Sequence, residues 1–121
     1  MRNRIETLED AVEILRKLIA IPSFSREERE AADLMEDYLL RMGFKPERRN
    51  NNNWVCSATL DPAKPTILLN SHIDTVRPTS GWLSDPFTPV LEGDKLTGLG
   101  SNDAGASLVS LMAAFRYLSA K

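Results

Sequence analysis

The 121 residues carry 42% hydrophobic and 26% charged side chains, enough for one globular domain with a modest core. A net charge of −2 gives no broad attraction to nucleic acid, and no apolar run approaches the ~18 residues needed to cross a bilayer, so neither nucleic acid nor membrane is expected as a partner. The N-terminal MRNRIETLED lacks the apolar stretch of a secretion signal, and the single cysteine, Cys56, excludes an internal disulfide; a cytoplasmic location fits both.

The first organised segment is TLEDAVEILRKLIAI, residues 7–21, in which Leu8, Val12, Leu15 and Ile19, joined by Ala11 and Leu18, form one helical stripe. Thr7 and Asp10 have capping-box spacing, and Pro22 ends the segment. A second helix is expected from Ser25, with Glu28 completing a capping box, through Ala31, Met35, Tyr38, Leu39 and Met42 to Gly43, a residue suited to the left-handed position after a helix. Beyond it the period changes. FKPERR, WVCSATL and TILLNS are short, separated by polar or Pro-rich turns, and read as strands, with Cys56 a small buried apolar side chain in the second. RRNNNN, residues 48–53, has the composition of a hairpin loop rather than of a nucleic-acid patch, since no aromatic side chains interleave with its arginines. Ile67, Leu68 and Leu69 form a continuous apolar run, as expected of an inner strand covered on both faces. The chain closes with DKLTGLG as a short strand and turn, SND as a junction and AGASLVSLMAAFRYLSA as a long helix, and the whole reads as α/β.

His72 is the only histidine, and it falls just past the end of TILLNS with Asp74 two positions on. In open α/β sheets, ligands bind beyond the carboxyl ends of strands. A neutral imidazole serves as a zinc ligand when its other ring nitrogen is held by an acceptor, commonly a carboxylate, and alternate residues of an extended chain point to one side. His-x-Asp triplets also occur in surface turns, so spacing alone leaves His72 either a ligand or an ordinary hydrogen-bonded histidine. Asp103, at the second strand-to-helix junction, reads either as an N-cap or as a further ligand.

SHIDTV, then W-x-x-D-P-F from Trp82 to Phe87, then GDKLTGLGSND from Gly93 to Asp103 resembles, in order and spacing, the start of the M20 family of zinc-dependent amidohydrolases and peptidases. Within it the likeness is to the branch of acetylornithine deacetylase and succinyl-diaminopimelate desuccinylase. The resemblance implies that residues 1–121 are the N-terminal portion of a zinc-peptidase-like catalytic domain, a mixed sheet flanked by helices, with the family's lid and dimerisation domain absent. It implies two Zn2+ per complete site, for which Co2+ can substitute, with His72 a terminal ligand, Asp74 the catalytic carboxylate orienting it and Asp103 the bridge between metals. A bridge needs two oxygens and a negative charge, because cations ~3.5 to 4 Å apart otherwise repel strongly. By the same likeness the Asp103–Ala104 peptide is expected to be cis. Gly98 and Gly100 suit a tight turn before the ligand, and Gly105 suits close helix packing behind it.

Two departures bear on subtype. Ala104-Gly105-Ala106-Ser107 stands where many members carry Lys and Gly, and Arg77 separates Val76 from Pro78. The family's Glu general base, its neighbouring Glu ligand, a further acidic ligand and a second histidine have no counterpart here, as in a partial domain. The expected function is amide hydrolysis of an N-acyl amino acid or small peptide in amino-acid metabolism such as arginine biosynthesis, by a full-length homodimer, the isolated chain being inactive. The alternatives are a non-catalytic truncated binding or interaction module with the same fold start, and a small α/β domain in which His72 is incidental.

Overall fold

The computed structural model describes residues 4–57 and 60–121. Apolar side chains three and four apart turn one face of α1 (Arg4–Ile19) inward, where Ile14, Leu15, Leu18 and Ile19 pack against Ala31 and Met35 of α2 (Arg29–Arg41) and Val109 of α3 (Ser107–Ser119). Each large side chain fully buried in this way contributes about 1.5–3 kcal/mol. The expected stripe holds at Leu15, Leu18 and Ile19, but Leu8 is exposed and Ile14 replaces it in the core. α1 also starts upstream of the Thr7–Asp10 pair, because Arg4, Ile5 and Glu6 include no residue that breaks a helix. An ion pair of 2.9 Å between Arg116 and Asp10 ties α3 to α1.

α2 begins at Arg29, not at Ser25. The capping box fails because Arg26 takes a positive φ of 75° and both partners are engaged elsewhere. The Ser25 hydroxyl donates to Asp74, while the Glu28 carboxylate accepts the Arg26 N–H at 2.5 Å and the Asn51 amide at 3.0 Å. The helix stops as expected, with Gly43 at φ +86° just beyond the Met42 cap.

The α/β class stands, with the strands paired as two antiparallel hairpins. RRNNNN turns at Asn50, φ 55°, between β1 (Glu47–Arg49) and β2 (Asn52–Trp54), with Arg48 opposite Asn53. DKLTGLG supplies β4 (Lys95–Thr97), whose partner β3 (Val90–Glu92) carried no strand signal in sequence. Of WVCSATL only Trp54 is in a strand, Ala58 and Thr59 lie outside the described residues, and Cys56 is exposed rather than buried.

TILLNS is the main correction. Residues 66–71 pair with no strand among the described residues, and Ile67 and Leu68 are 82% and 71% exposed. The expected mixed sheet around an inner strand is therefore not assembled by these residues. Apolar composition suits an inner strand, but strand pairing needs backbone neighbours at both edges, which is a non-local condition. The run instead borders a groove of about 520 Å³ lined by Met35, Leu39, Trp54, Met112 and Phe115. No helix among the described residues is long and apolar enough to cross a membrane.

Candidate metal centre

Two loops bring the sequence-predicted side chains together. The loop between α1 and α2 holds the segment that carries His72 and Asp74: the Ser23 hydroxyl donates to the Ile73 carbonyl at 2.9 Å, the Thr75 N–H donates to the Ser23 carbonyl at 2.7 Å, and Phe24 pairs with Thr75 as a parallel bridge. Asp103 comes from a bend that leads into α3, its own backbone extended at φ −115°, ψ 97° and its peptide to Ala104 cis, as the family likeness implies. That bend depends on glycine. Gly100 has φ +77°, and a Cβ there would come within 2.6 Å of the Thr75 methyl; one on Gly105 would come within 2.6 Å of the Gly100 carbonyl oxygen, which accepts the Gly105 N–H at 2.9 Å. The W-x-x-D-P-F motif props this turn from outside. Asp85 accepts from the Phe87 N–H at 2.9 Å and the Thr88 hydroxyl at 2.8 Å, and the Pro86 carbonyl accepts the Leu99 N–H at 2.7 Å.

The three candidate side chains then form a line. His72 Nδ1 lies 3.0 Å from Asp74 Oδ1 and 3.1 Å from the Asp74 backbone carbonyl oxygen, and His72 Nε2 lies 3.1 Å from Asp103 Oδ1. Asp74 and Asp103 thus face opposite nitrogens of one ring. Desolvation pulls the His72 pKa down, but the Asp74 carbonyl, the Asp103 carboxylate and the charge of both aspartates outweigh it, so the imidazole titrates above its ordinary value. The Ser25 hydroxyl is the main reason that Asp74 titrates below the usual carboxylate range; partial burial opposes it and the His72 ring assists.

The donor chemistry fits a divalent cation. Two ligands at about 2.0–2.1 Å from a tetrahedral zinc stand about 3.3 Å apart. The Nε2 to Oδ1 separation of 3.1 Å is close to that, and the Asp103 side chain is 88% exposed, so one carboxylate oxygen and its outer face are open to further partners. No group of three or more His, Cys, Asp or Glu side chains around a common metal position occurs among the described residues. The chain thus presents two donors of such a site, with Asp74 behind the ring rather than beside them. Sequence reasoning missed Ser23 and Ser25, whose partners lie 50 and 49 residues away, beyond any local pattern.

Residues 68–121 match peptidase family M20/M25/M40. Among curated proteins, the chain is 34% identical over 108 residues to the succinyl-diaminopimelate desuccinylase of Thiobacillus denitrificans, covering 84% of this chain and 26% of that protein. The desuccinylase of Nitrosococcus oceani is 30% identical over 112 residues, covering 88% of this chain and 29% of that protein. For that of Delftia acidovorans the identity is 29% over 113 residues, covering 85% and 29%. The chain spans less than a third of the length of these relatives.

Proposed function

From the match of residues 68–121 to peptidase family M20/M25/M40 and the likeness to desuccinylases, we propose that the chain belongs to that family and supplies His72, Asp74 and Asp103 to a zinc-dependent hydrolase that cleaves the amide of an N-acyl amino acid. The observation that carries this reading is the line Asp74–His72–Asp103, with a carboxylate at each ring nitrogen. His72 offers the Nε2 lone pair when its one proton sits on Nδ1, and Asp74 favours that tautomer because its backbone carbonyl and its carboxylate both face Nδ1 as acceptors. Asp103 brings negative charge and two oxygens to the same point, which suits it to bridging. Zinc, or cobalt in its place, supplies the positive charge that polarises an amide carbonyl and acidifies a bound water. The general base and the remaining ligands are assigned to the stretches of the relatives that this chain does not span, residues 1–121 acting as one portion of a catalytic domain in a cytoplasmic homodimer. Succinyl-amino acids rank ahead of acetylornithine-like substrates because the relatives reported above carry the name desuccinylase. The two-donor set also favours a second reading, a non-catalytic module of the same fold start.

The test is a chimera in which this chain replaces the matching segment of the Thiobacillus denitrificans desuccinylase, assayed with zinc on N-succinyl and N-acetyl amino acids. Turnover should fall about 10- to 100-fold with Asp74→Asn and further with His72→Ala. A folded chimera whose turnover is indifferent to His72→Ala contradicts the assignment.

A further inference from the structure

Two serines of the α1–α2 loop reach the His72–Asp74 segment, and they hold different things. Ser23, only 3% exposed, fastens the backbone on either side of Asp74 through the Ile73 carbonyl and the Thr75 N–H. Backbone anchoring does not orient a carboxylate, whose terminal torsion is broad and roughly two-fold. Ser25 acts on that torsion. Its hydroxyl donates to Asp74 Oδ2 at 2.5 Å while Oδ1 of the same carboxylate faces His72 Nδ1 at 3.0 Å, so each oxygen has its own donor.

We propose that Ser25 is a positioning residue for His72, fixing the Asp74 carboxylate and through it the Nδ1–H tautomer that leaves the Nε2 lone pair facing Asp103. Its purpose rests on the metal-site reading, but its geometry belongs to the chain alone. In the neutral ring, one proton is contested between the carboxylate and backbone carbonyl of Asp74, both facing Nδ1, and the Asp103 carboxylate at Nε2, and Ser25 governs the carboxylate's share. Loosening Asp74 shifts that contest toward Nε2–H, the tautomer that closes the ligand position.

Because His72 is the only histidine, its ring nitrogens can be followed without ambiguity by NMR of the metal-free chain carrying isotopically labelled histidine. Nδ1–H should predominate in the wild type. Ser25→Ala should move the tautomer ratio several-fold toward Nε2–H and weaken zinc binding by about threefold, less than the 10- to 100-fold typical of a residue that touches the ligand directly. Ser25→Thr should restore both. Ser23→Ala, which loosens the backbone whose Asp74 carbonyl also faces Nδ1, should lower stability and shift the ratio less than Ser25→Ala does. Should Ser25→Ala unfold, Ser25→Thr and Ser25→Val, near-isosteres with and without the hydroxyl, carry the same comparison. An unchanged ratio in the variants lacking the hydroxyl, or an equal shift in Ser23→Ala, overturns the proposal. A wild type that ignores zinc but shows the tautomer shift keeps the positioning role and removes the metal reading; zinc binding without the shift does the reverse.

Discussion

At the scale of the residue, His72 is bracketed by two carboxylates on opposite ring nitrogens, and the side chains around it are constrained by close packing. Gly105 is one such point: a Cβ there would come within 2.5 Å of Leu15 Cδ1 and 2.6 Å of the Gly100 carbonyl oxygen. Gly105→Ala should therefore destabilise the fold by about 1–3 kcal/mol, read as a lower urea midpoint at unchanged slope. Asp85 provides a pH test. The Phe87 N–H and the Thr88 hydroxyl hold its carboxyl below the usual range, so its folded pKa is depressed. Its stabilisation is then fully present above the unfolded value of about 3.9 and is lost as pH falls through the lower folded value. Asp85→Asn should lower Tm at neutral pH by an amount that shrinks toward zero in acid, checked by thermal melts across that range. The convergence of His72, Asp74 and Asp103 was legible because motif order survives in sequence. Ser25 was misread as a helix cap because Ser-x-x-Glu is a local pattern, and its actual partner is brought near only by the fold.

At the scale of the element, the β1–β2 hairpin is fixed to α2 through Arg48. Its guanidinium donates to Glu36 and Asp33, one helical turn apart, at 2.9 Å each, and also to the Asn50 carbonyl. The Asn53 amide adds a bond of 2.9 Å to the Ala32 carbonyl. The Arg48 side chain is 19% exposed, whereas its acidic partners remain in contact with water, so its loss strands no buried charge. Arg48→Ala should cost about 1 kcal/mol, the upper end for a solvent-accessible ion pair, with Arg48→Lys recovering part of it in chemical denaturation. The first two helices were legible from a 3.6-residue period over more than three turns each, and the third from its Ala-, Leu- and Met-rich composition. Strands were less so: residues 66–71 have the composition of an inner strand without its neighbours, and Val90–Glu92 is too short to show alternation.

At the scale of the whole molecule, three helices make the core while the candidate metal centre sits on loops at its edge, tied down from the α1–α2 loop and from the Asp85–Thr88 turn. The α/β class and the likeness to the family that residues 68–121 match were both readable in sequence. That the apolar run at Ile67–Leu69 stays unpaired and exposed among the described residues was not, since strand pairing depends on neighbours distant in sequence. The central claim is that His72 and Asp103 share one zinc ion, with Asp74 supporting the ring from behind. Calorimetric titration of zinc into residues 1–121 tests it most directly. With two protein donors where zinc sites have at least three, the wild type should bind one ion weakly, Asp74→Asn about 10-fold more weakly still, and His72→Ala and Asp103→Ala not at all. Equal zinc binding by the wild type and both ligand variants would contradict it.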